Sequence, residues 1–218
     1  YGFLDPAKAL PFHELLIPFV LVMRRHLAQA GTGYRLLSWR AKASYEALLA
    51  RILCSQAASI SQLEFTIFRT PEESPAERLL KQIQGNTSRT LYLKFLDNMY
   101  RGGLAAFYKE YAALARILAT LTLQHIASLN EFLHHLECDW PAIQHTFANG
   151  HKLHQVVALK PALSDPHCDG RTVLGLTFDT GLQLIYKPKD LSIEEAYNHL
   201  LSWLNNRGAP LSFKVLNR

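Results

Sequence analysis

The sequence predicts an α+β protein: a mainly helical part over residues 1–150, then a small antiparallel sheet with one helix over residues 151–218. Three observations carry this. Apolar residues recur every three to four positions through the first part. After Gly150 the period shortens to two, in short β-branched runs. No fixed-period repeat or low-complexity linker interrupts either pattern.

The helical elements follow in order. Phe12, Leu15, Leu16, Phe19, Met23 and Leu27 share one face of a helix over 12–29. Leu37, Tyr45, Leu48, Leu49, Ile52 and Leu53 do the same over 37–57. In "SPAERLLKQI", Ser74 suits an N-cap, Pro75 the first turn and Glu77 a capping box. "TSRTLYLKFLDNMYRGG" reads as a helix ended by Gly102-Gly103. "LAAFYKEYAALARILATL" and "LQHIASLNEFLHHLE" predict two further helices, and "DWPAIQHTF" a short one capped by Asp139.

The second part reads as strand, polar loop, strand, turn, strand, helix, strand. The strands are expected at 154–163, 171–178, 182–189 and 211–217. "DTG" at 179–181 is a tight hairpin turn with Gly181 free to take positive φ. The helix spans 191–206, with Ser192 as cap, Glu195 three residues on, and Gly208 and Pro210 beyond its end.

Bulk properties bound the function. The chain has 218 residues and a net charge of +5, and the excess lies wholly before Asp165. That margin is too small for a nucleic-acid-binding tail, although a basic surface suits an acidic partner. Cys54, Cys138 and Cys168 are scattered and odd in number, which points away from a disulfide framework and toward a reducing cytoplasmic setting. "LLIPFVLVM" is too short to span a bilayer and contains Pro18, so no transmembrane segment is expected. The chain opens on Tyr1 and stops on a charged, strand-like stretch, which predicts a piece of a longer polypeptide.

The chemistry concentrates in "LSDPHCDGRTV", residues 163–173, which joins two expected strands. Asp165, His167 and Arg171 are the candidate functional side chains. Arg171 suits bidentate phosphate binding. His167 suits proton transfer near neutral pH. Asp165 suits orienting His167, holding a metal or acting as a base. The plainer reading makes Asp165-Pro166 a turn initiator and Asp169-Gly170 the turn itself. Lys187 follows Asp165 by 22 positions, on the third strand and just before a helix. Kinase-like small lobes share this order: a hairpin loop over phosphates, a strand lysine reaching them, and a helix bracing the lysine. The usual glycine-rich loop is missing, so side chains must supplement the backbone. No metal site is predicted. His167 and Cys168 are adjacent, and His134, His135, His145, His151 and His154 match no standard ligand spacing. Serine-hydrolase chemistry lacks its elbow motif.

The stretch from Leu163 to Asn205 resembles the dehydratase domain of type II lanthipeptide synthetases, the LanM family. Those enzymes show a D-x-H-x-x-G-R-x-V loop, then Y-K-P-[RK]-[SD]-L, then a helix ending W-L-N. Here these are Asp165, His167, Gly170, Arg171 and Val173, then Tyr186-Lys187-Pro188-Lys189-Asp190-Leu191, then Trp203-Leu204-Asn205. "KEYAALARIL" resembles the family's E-Y-P-V-L-A-R-L-L, with Ala112 where Pro is frequent, and "SQLEF" resembles T-L-x-x-E-L. The resemblance implies an enzyme that binds a ribosomal precursor peptide through its leader and phosphorylates core Ser and Thr with ATP and Mg2+. It then eliminates phosphate to leave dehydroamino acids. Thioether rings would be closed by a separate zinc-dependent cyclase domain. Asp165 and His167 are implied as catalytic, with Lys187 and Arg171 on the ATP side. The family's second lobe, with its catalytic-loop Asp and Mg-binding acids, is not among these residues, so the stretch alone is expected to be inactive. The competing expectation is a non-catalytic, peptide-binding helical module with a vestigial small lobe.

Overall fold

The computed structural model describes residues 10–29, 31–70, 89–165 and 170–215. It is α+β: mainly helical, with one three-stranded antiparallel sheet. The chain divides into two compact units, Tyr1–Tyr186 and Lys187–Arg218.

The first unit opens with helix α1, His13–Ala28, whose Leu15, Leu16, Val20, Met23 and Leu27 are buried. Phe12 precedes it in a left-handed conformation (φ 57°) without a side-chain cap. Its ring offsets that cost by entering an aromatic cluster with Phe65, Tyr92 and Phe95, at centroid distances of 5.7–6.2 Å. Helix α2 runs from Trp39 to Arg69, well past the predicted end at 57. Its extra turns bury Ser61 and Phe65, so tertiary packing extends it where the periodic signal fades. Ser38 caps α2 by accepting from the Ala41 N–H at 3.2 Å, and the same hydroxyl donates to the Val157 carbonyl at 3.0 Å. The predicted helix at 74–83 lies outside the described residues.

Helix α3, Arg89–Asn98, meets α4, Leu104–Glu110, across a π-helical turn at Met99–Gly103. Gly102 supplies the kink at φ 127°, a conformation open to glycine. The predicted helix over 104–121 is broken at Tyr111, whose hydroxyl donates to Glu64 of α2 at 2.6 Å. Neither Gly nor Pro marks that break. The remaining segments, expected as separate helices, form one 36-residue helix α5, Ala112–Phe147. Asp139 does not start a new helix, and Pro141 is carried inside α5. A proline there removes one backbone donor and crowds the carbonyl four residues back, a cost that the rest of this long helix outweighs. By length and composition α5 is long enough and apolar enough to cross a membrane. Within this fold its stripe from Leu114 through Leu118, Thr122, His125, Leu129, Phe132, Leu133 and Leu136 is buried.

Strands β1 (Val156–Lys160), β2 (Leu174–Phe178) and β3 (Gln183–Tyr186) pair antiparallel in that order. Val156 pairs with Phe178 and Lys160 with Gly175, with a bulge between Val156 and Ala158. Leu174 pairs with Tyr186. β1 also bridges Leu37 in parallel, and the Ser38 N–H donates to the Val156 carbonyl at 2.9 Å, so the sheet edge is stitched to the start of α2. Gly181 takes φ 86° in the predicted hairpin turn.

In the second unit, α6 spans Ser192–Asn206. Ser192 is its first helical residue rather than its cap. The capping contact comes from Asp190, whose carboxylate accepts the Ser192 N–H at 2.8 Å. Gly208, at φ 75°, closes the helix as expected. The strand expected at 211–217 does not form among residues 211–215. The Asn205 side-chain amide instead takes both the N–H and the carbonyl of Phe213, each at 2.8 Å, and satisfies that backbone without a ladder.

Two polar features inside the helical layer lead to predictions. Glu46 is buried on α2 and receives Arg24 of α1 in a fork, Nε to Oε1 at 2.7 Å and Nη2 to Oε2 at 2.6 Å. Arg24→Ala is expected to cost about 2 kcal/mol in urea unfolding, because it strands a buried carboxylate, and Glu46→Gln on that background should recover part of the loss. His125 is buried against Tyr45, with ring centroids 4.2 Å apart and Nε2 3.3 Å from the Tyr45 carbonyl. Burial pulls its pKa down from 6.5 to about 4. The neutral ring is therefore favoured by the fold. Its contribution is complete above pH 6.5 and is lost as pH falls from there toward 4. Unfolding measured across that range should show about 3 kcal/mol less pH-dependent loss in His125→Gln than in the wild type.

Candidate active-site loop

The loop joining β1 to β2 is closed at its neck. The Leu163 N–H donates to the Val173 carbonyl at 3.0 Å, and the Val173 N–H donates to Ser164 Oγ at 3.1 Å. That hydroxyl in turn donates to the Asp165 carbonyl at 3.1 Å. Ala162 enters the neck at φ 59°, an uncommon value for a residue with a Cβ, and Gly170 leaves it at φ 87°. Asp165 stands exposed directly beyond the neck. Its carboxylate is thereby presented to solvent from a fixed base, which suits a proton acceptor or a group that orients one. His167, together with Pro166, Cys168 and Asp169, lies outside the described residues.

Arg171 is half-buried and turned toward α5. Its Nε donates to Glu131 Oε2 at 2.6 Å. Next to this pair, the Tyr186 hydroxyl lies 2.9 Å from His135 Nδ1, and the Tyr186 ring packs edge-on against Phe132 at 5.1 Å. Burial pushes the Tyr186 pKa up to about 12, aided by the Glu131 charge and opposed by Arg171. The phenol therefore stays protonated through the physiological range. Two residues of the sequence motif, Arg171 and Tyr186, are thus fastened to one face of α5.

Lys187 follows the last residue of β3 and opens the second unit, with its side chain exposed. The ion pair with α6 is made by Lys189, whose Nζ donates to Glu194 Oε1. That hydrogen bond, with a smaller share from the Lys187 charge, holds the Glu194 carboxyl below its usual range. Among the described residues no group of three or more His, Cys, Asp and Glu is arranged to hold a metal ion.

Sequence reasoning picked out Asp165, His167, Arg171 and Lys187, weighed His135 only within a histidine-rich stretch that lacks metal-ligand spacing, and passed over Glu131. A signal existed: residues four apart lie on one helix face, so 131 and 135 present a carboxylate and an imidazole side by side. Nothing in the sequence said which strand residues would meet them.

Residues 111–218 match the family described as Domain of unknown function (DUF4135), a domain found in lanthipeptide synthetases of the LanM family. The match begins at the break before α5 and runs through the loop, the sheet and α6, while α1 to α4 lie outside it. No curated protein matches the chain.

Tyr186→Phe removes the hydroxyl that meets His135 and keeps the ring on Phe132. It is expected to lower stability by about 1 kcal/mol in urea unfolding, and a His135→Phe background should erase most of that difference.

Proposed function

We propose that this chain forms part of a lanthipeptide dehydratase that phosphorylates Ser and Thr of a ribosomal precursor peptide with ATP and then eliminates the phosphate. The observation that carries the reading is a coincidence of two signals. The loop Asp165-x-His167-x-x-Gly170-Arg171-x-Val173 and the segment Tyr186-Lys187-Pro188 both fall within the DUF4135 match. The basic excess before Asp165 suits an acidic leader peptide, and the free thiols of Cys54 and Cys138 suit a cytoplasmic setting.

In the elimination half, a base takes the α-proton of phosphoserine. The C–H electron pair becomes the Cα=Cβ bond, the Cβ–O bond breaks, and inorganic phosphate leaves. Asp165 and His167 are assigned to this half, as the base or as the pair that orients it. A cation near the departing phosphate stabilises the charge that develops there, a role suited to Lys187 or Arg171. In the phosphorylation half, Lys187 is assigned to the ATP phosphates by its place after the third strand. Among the described residues no three His, Cys, Asp or Glu side chains are grouped to hold a metal ion, and no step is routed through Mg2+.

The test uses the full-length gene product with its precursor peptide and Mg-ATP, followed by mass spectrometry. Asp165→Ala and His167→Ala are each expected to accumulate phosphopeptide at the expense of dehydrated peptide. Dehydration at the wild-type rate in both variants removes the assignment.

A further inference from the structure

We propose that Glu131 and His135 are positioning residues for the base of the loop from which Asp165 projects. This rests on the dehydratase reading above and adds two residues from a helix that carries none of the loop motif. Glu131 holds Arg171, on the returning leg of the loop, through the 2.6 Å ion pair. One helical turn on, His135 holds Tyr186 at 2.9 Å. Tyr186 is the cross-strand partner of Leu174, three residues after Arg171. Both fixed points therefore sit on the stretch where the loop rejoins the sheet, and both reach the same face of α5. Phe132, itself buried, fills the space beside them and packs on Tyr186.

The clamp also acts through the neck of the loop. Arg171 lies six residues from Asp165 on the opposite leg, and the two legs are joined by the hydrogen bonds from the Leu163 N–H to the Val173 carbonyl and from the Val173 N–H to Ser164 Oγ. Fastening Arg171 and Tyr186 to α5 therefore fixes the base from which Asp165 projects. Displacing a reacting group by about 1 Å costs on the order of a hundredfold in rate, so a modest shift of the loop is enough to be measured.

The experiment follows phosphate release from a chemically phosphorylated precursor peptide by the full-length enzyme, so the kinase half is bypassed. Glu131→Gln keeps the shape and removes the charge. It is expected to lower kcat about tenfold with KM within about twofold, with the melting temperature recorded alongside. Glu131→Asp should retain most of the rate. If Glu131→Gln eliminates at the wild-type rate while Asp165→Ala does not eliminate at all, the positioning role is overturned and the dehydratase reading stands. If Glu131→Gln loses rate only in proportion to lost folded protein, the role is merely structural and the inference is overturned. If the wild-type enzyme releases no phosphate, the dehydratase reading falls and this inference falls with it.

Discussion

The structure depends on the burial of one continuous stripe along α5. Residues spaced three and four apart from Leu114 to Leu136 place Leu118, Leu129, Phe132 and Leu133 at essentially zero exposure. Each fully buried side chain of that size contributes about 1.5–3 kcal/mol through area removed from water, before the entropy of ordering is set against it. The stripe packs on α1 and α2, and the flank of the same helix carries Glu131 and His135, which meet the sheet. Packing and site geometry are therefore coupled through a single rigid rod.

Around that rod the fold satisfies its polar groups economically. Ser38 serves two elements with one hydroxyl, capping α2 and pairing with β1. Arg24 and Glu46 tie α1 to α2 with two parallel hydrogen bonds, a geometry only a guanidinium and a carboxylate provide. Phe12 adopts an unfavourable backbone conformation, and the ring contacts it gains fix the entry to α1. Each of these links elements far apart in sequence, which makes the helical layer one cooperative body.

The loop between β1 and β2 is built differently. Its neck is held by backbone and hydroxyl hydrogen bonds, while Asp165 stands exposed beyond it. A fixed base under an exposed side chain is a common way for loops to present polar groups. Arg171 belongs to this fixed base through its bond to Glu131. The ion pair is only partly screened from water, so its importance is more geometric than energetic.

Local chemistry alone determined much of this protein. The 3.6-residue period marked α1, most of α2 and the apolar stripe of α5, and the shift to a period of two after Gly150 marked the sheet. Gly181 and Gly208 marked a turn and a helix end because each position needs positive φ. The motif that identifies the loop is a string of side chains and is legible without coordinates. Tertiary structure decided the rest. It fused three predicted helices into α5, where Trp140 and Ile143 still pack on the core on either side of Pro141. It broke the chain at Tyr111, where no breaker stands. It replaced the expected last strand with the bonds from Asn205 to Phe213. Above all it chose the partners of Arg171 and Tyr186, because a contact across 40 or 51 positions depends on where two elements cross, which no local pattern encodes.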